Sequence, residues 1–140
     1  MDKISNVTLL ELTSPKFLKP YRVNFRQNKK DRSWECIQSH NSVVIVIFNV
    51  SRNVLVFVKQ FRPPVFVSNA VKGRPITAGD TIDTSIHRGD DGVTLELCAG
   101  IMDKTEDLAV TAQEEVLEEC GYQVPVDRLQ RIVSFPRYSL

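Results

Sequence analysis

A chain of 140 residues, 42% hydrophobic and 25% charged, has the size and balance of one ordinary folded domain. Its formal net charge of +1 excludes nucleic-acid binding through bulk electrostatics. Three cysteines, Cys36, Cys98 and Cys120, lack paired spacing, which points to reduced thiols in an intracellular, cytoplasmic protein.

The opening "MDKISNVTLLELTSPKF" has no long apolar run, so no export signal is expected. Residues 7–13 are rich in β-formers, "YRVNFRQ" (21–27) alternates apolar with polar, and "WECIQ" (34–38) continues after a polar turn. An antiparallel meander of about three short strands is therefore expected within 1–40. "SVVIVIFNV" (42–50) reads as a strand buried on both faces, and it is far too short to span a bilayer. "SRN" turns the chain into "VLVFVKQFR" (54–62), giving a core hairpin. Residues 63–92, with three prolines and four glycines, read as a long loop. "VTLELCAG" (93–100) is a strand ending at Gly100. From about Glu106 to Cys120 the period turns helical, with Leu108, Ala112, Val116 and Cys120 facing the core beside Ala109 and Gly121 as the stop. "LQRIVSF" (129–135) is a final expected strand.

That helix carries Glu114, Glu115, Glu118 and Glu119 in six consecutive positions. Each like-charged i,i+3 or i,i+4 pair opposes the helix by roughly 0.2–0.5 kcal/mol. The cluster also lies at the C-terminal end, where the helix dipole disfavours negative charge. A solvated acidic face is the ordinary explanation. A hard divalent cation such as Mg²⁺ or Mn²⁺ would reverse the sign by making carboxylates its ligands.

The surrounding spacing favours the cation. "GIMDKTEDLAVTAQEEVLEECGY" (100–122) resembles the Nudix box, Gly-x5-Glu-x7-Arg-Glu-U-x-Glu-Glu-x-Gly-U with U a bulky apolar residue. Gly100, Glu106, Glu115, Val116, Glu118, Glu119, Gly121 and Tyr122 match eight of its nine defined positions. The ninth departs: Glu114 stands where the family has an arginine that orients the box carboxylates.

The resemblance implies an α/β (α+β) Nudix fold: a mixed β-sheet with the box as a loop–helix–loop, after an N-terminal antiparallel meander. It implies Mg²⁺ or Mn²⁺ held by Glu115, Glu118, Glu119 and the Ala99 backbone carbonyl, with one of the carboxylates able to take a proton. Gly100, Glu106 and Gly121 would be structural. "VKQFRPPV" (58–65) and "ELCAG" (96–100) are similar to stretches of the ADP-sugar and UDP-sugar pyrophosphatases. That likeness implies a nucleoside diphosphate sugar substrate, with Arg62 on its diphosphate or nucleotide and Glu96 near the metal or sugar. A rim salt bridge is the plainer role for Arg62, and an outward strand position the plainer one for Glu96. The branch implies a homodimer through residues 1–40, with no nucleic-acid or membrane partner.

Complete family members continue well past the box, so 1–140 is expected to be one incomplete domain. The competing expectation is a catalytically silent fragment that dimerises with a full-length relative. Weaker candidates have simpler roles: Cys36 and His40 lack further zinc ligands, Trp34 suits surface packing, His87 suits a solvated loop, and Lys29, Lys30 and Arg32 form a charged turn. An acidic calcium sensor is excluded by the lack of an EF-hand loop.

Overall fold

The structure, a computed structural model, describes residues 3–102 and 107–136. In chain order the elements are β1 (Val7–Thr8), β2 (Lys19–Gln27), β3 (Lys30–Gln38), β4 (Ser42–Ile45), β5 (Ile47–Asn49), β6 (Val54–Val56), β7 (Val58–Phe61), α1 (Pro63–Val71), β8 (Thr81–Ile82), β9 (Val93–Glu96), β10 (Cys98–Ile101) and α2 (Leu108–Cys120). The class is mixed α+β. Among the described residues the strands pair two by two, β1 with β8, β2 with β3, β4 with β10, β5 with β6 and β7 with β9, instead of forming one continuous sheet. Single residues, Val46, Phe57 and Leu97, separate strands that the sequence runs together, and the pairing partner changes across each break.

The described residues fall into two compact units. One comprises 3–13 with 46–98, the other 14–45 with 99–102 and 107–136. In the first, β5 and β6 form the expected hairpin, Ile47 facing Val56 and Asn49 facing Val54. The Asn49 side chain accepts the Arg52 N–H at 3.0 Å, and Asn53 adopts the left-handed conformation at φ 55°, which closes the turn. β7 and β9 pair antiparallel, Phe61 opposite Val93 and Val58 opposite Glu96. Phe66 of α1 is 1% exposed and stands 5.7 Å from the Phe61 ring. A Cβ at Gly92 would overlap both Phe61 and Phe66, so only glycine lets the chain pass there.

In the second unit, β2 and β3 form a hairpin whose two-residue turn, Asn28 and Lys29, is left-handed at φ 52° and 66°. Tyr21, Val23, Phe25 and Trp34 share one face by register, and all are exposed. The other face carries Arg22–Glu35 at 2.8 Å and Arg26–Asp31 at 3.4 Å. α2 lies against β4 and buries Thr111 and Val116.

Several expectations are corrected. Residues 63–92 are not simply a loop. Pro63 and Pro64 occupy the first positions of α1, where a missing N–H costs nothing, and Arg62 before them is extended. The meander reduces to one hairpin, because β1 pairs with β8 instead. The run 42–50 is not buried on both faces. Val44, Val46, Phe48 and Val50 are all exposed, since its burial alternates along an ordinary pleat. Residues 129–135 form no strand, and Ile132, Val133 and Phe135 are exposed. On α2 the buried stripe is shifted: Leu108 is exposed and Thr111 takes a core place.

The turn at 28–29 generates a test. A left-handed lysine is strained where glycine is not, so Lys29→Gly should stabilise the protein by roughly 0.5–1 kcal/mol in urea unfolding, with the m-value unchanged.

Candidate active site

Asp107 starts α2 by accepting the Ala109 N–H at 2.7 Å, a side-chain cap for an otherwise unpaired donor. Gly121 ends it at φ 71°, donating its N–H to the Leu117 carbonyl at 3.0 Å. Gln113 ties the helix to the following chain by donating to the Val124 carbonyl at 2.6 Å.

Between these caps the helix sorts its glutamates. Glu114 and Glu118 are exposed, while Glu115 and Glu119 are half-buried. One Glu119 oxygen accepts the Ala99 N–H at 3.1 Å. The Glu115 side chain, from Cγ to Oε1, fills the space that a Cβ at residue 100 would take. Two carboxylates one helical turn apart thus reach two consecutive residues of β10. The donor set is all oxygen, which suits a hard cation of the Mg²⁺ or Mn²⁺ kind. Glu118 is not gathered with them: among the described residues no three His, Cys, Asp or Glu side chains group closely enough to hold a metal. Glu106 lies outside the described residues.

Arg62 and Glu96 belong to the other unit and meet each other. Arg62 Nε and Nη2 donate to the two Glu96 oxygens at 2.8 and 2.5 Å, a forked pair. The Arg62 backbone N–H donates to the Gly92 carbonyl at 2.7 Å, which anchors the start of α1. The Thr94 hydroxyl lies 2.6 Å from Glu96 Oε1 and 3.2 Å from the Gln60 carbonyl. The Arg62 hydrogen bonds, then that of Thr94, hold the Glu96 carboxyl down at about 2. The pair is only partly shielded, the Arg62 side chain being 43% exposed and that of Glu96 30%. Sequence reasoning named both residues but not their partnership, and it missed Thr94. The signal was available: residues two apart on a strand share a face.

No family model matches the chain. It is 36% identical over 142 residues to uridine diphosphate glucose pyrophosphatase NUDT14 of Bos taurus, covering 96% of this chain and 64% of that protein. The protein of the same name from Mus musculus is 34% identical with the same coverage. A GDP-mannose pyrophosphatase of Yersinia pestis is 26% identical over 135 residues, covering 93% of this chain and 57% of its own length. The chain is similar to these nucleotide-sugar pyrophosphatases. It spans just under two thirds of the length of the UDP-glucose pyrophosphatases it matches.

Two outcomes test this geometry. A methyl group at residue 100 must displace Glu115, whose flexible chain can yield, so Gly100→Ala should cost about 1 kcal/mol in denaturant unfolding. Glu96 contributes stability as the ionised form. That contribution is complete above its ordinary value of 4.5 and is lost as pH falls toward about 2. Thermal melts between about pH 5 and pH 2 should therefore show a shallower loss of Tm in Glu96→Gln than in the parent.

Proposed function

We propose that this chain is a Nudix hydrolase that splits the pyrophosphate bond of a nucleoside diphosphate sugar into sugar phosphate and nucleoside monophosphate. UDP-glucose is the favoured substrate and ADP-ribose the second candidate. The observation that carries the reading is the approach of Glu115 and Glu119 to Ala99 and Gly100 within the eight-of-nine box match. The similarity to two mammalian UDP-glucose pyrophosphatases supports the uridine nucleotide.

In this reading Glu115, Glu119 and the Ala99 carbonyl would hold Mg²⁺ or Mn²⁺, and Glu118, exposed and apart from them here, would have to turn inward to join the set. When bound, the ion neutralises diphosphate charge and makes phosphorus open to water. Gly100 keeps β10 bare so that the Glu115 chain can cross it. One of the box carboxylates accepts the proton of the attacking water. Arg62 meets the diphosphate with a guanidinium whose plane Glu96 fixes. Gly121 shapes the helix end. We place the protein in the cytoplasm as a homodimer. Support for the dimer comes from the exposed apolar face of the β2–β3 hairpin, since an isolated two-stranded hairpin is marginal in water. Among the described residues no helix is long and apolar enough to cross a membrane.

A second reading, a catalytically silent partner for a full-length relative, is favoured by exposed Glu118 and by Glu114 in the arginine position. The two separate in one assay. With Mg²⁺ the purified chain should release glucose 1-phosphate and UMP from UDP-glucose, and Glu119→Gln should lower the rate at least about 100-fold. No turnover of UDP-glucose or ADP-ribose, together with mixed-dimer formation, would support the silent reading.

A further inference from the structure

Thr94 and Glu96 share one face of β9, and Gln60 lies opposite Thr94 on β7. The Thr94 hydroxyl has one proton and two acceptors in reach, Glu96 Oε1 at 2.6 Å and the Gln60 carbonyl at 3.2 Å. An ionised Glu96 has no proton to give, so in the shorter contact Thr94 is the donor. The same Glu96 oxygen also accepts Arg62 Nε, and the second oxygen accepts Nη2. A threonine is stiff at χ1, so its hydroxyl is a fixed post, whereas glutamate and arginine are long and rotatable. The order of dependence runs from strand backbone to Thr94, then Glu96, then Arg62.

We propose that Thr94 is a positioning residue for the substrate diphosphate, acting through Glu96 to hold the Arg62 guanidinium in one orientation. This rests on the reading of Arg62 as a diphosphate contact. The Arg62 side chain is 43% exposed with Nε and Nη2 given to Glu96, so the diphosphate would meet the Nη1 end of a guanidinium plane fixed in advance instead of one ordered at binding. Loss of the Thr94 hydroxyl should therefore act mainly on substrate capture and little on the chemical step.

The test compares Thr94→Val, which keeps the shape, with Thr94→Ser, which keeps the hydroxyl. In ¹⁵N spectra of the whole protein the Arg62 Nε–H resonance should shift or broaden in the valine variant and return in the serine one. For Mg²⁺–UDP-glucose, KM should rise about tenfold in Thr94→Val with kcat changed less than about twofold, and serine should restore it. An unchanged Arg62 resonance and unchanged KM in Thr94→Val overturn the inference. An Arg62→Ala variant with parental KM overturns the reading of Arg62 beneath it, and the inference falls with it whatever the resonance shows.

Discussion

Residue 100 has no side chain, and the candidate site depends on that gap. The Glu115 chain lies where a Cβ would be, and Glu119 is tied to the neighbouring amide of Ala99. Helix energetics alone would scatter these carboxylates, because each is repelled by its neighbours and by the end of the helix dipole. The fold counters this with geometry. It turns Glu114 and Glu118 to water, where repulsion is screened, and directs Glu115 and Glu119 at one strand. The caps at Asp107 and Gly121 set where the helix begins and stops, and so which residues land opposite Ala99 and Gly100.

A second constraint governs the Arg62 region. The β7–β9 register brings Thr94 beside Gln60, and Phe61, Phe66 and Gly92 pack too closely to admit a larger residue at 92. Arg62 sits at the junction of that strand pair and α1, held by its backbone to Gly92 and by its side chain to Glu96. An arginine so anchored keeps its charge partner without being buried.

What the sequence disclosed follows the kind of physics involved. The box helix, its glycine stop and the β5–β6 hairpin were legible because periodicity and turn chemistry are local signals. Helix α1 was not, because Pro63 and Pro64 read as loop residues, although a first turn tolerates both. The run 42–50 departs from its expected burial because continuous apolar composition does not reveal which face is covered. Val44, Val46, Phe48 and Val50 stayed exposed. Residues 129–135 have a strand-like composition, but the described residues supply no pairing partner. Within the candidate site, Arg62 and Glu96 were found by likeness to known stretches. Their mutual bond is set by the fold alone, since pairs 34 residues apart leave no trace in local spacing.

The central claim is that the acidic end of α2 and the Ala99–Gly100 backbone form one cation site. The most direct measurement is a Mn²⁺ titration followed by paramagnetic broadening of backbone amides. The account predicts saturable broadening centred on Ala99 and Gly100 that disappears in Glu115→Gln/Glu119→Gln. Broadening absent at those amides, or unchanged in the double variant, would contradict it.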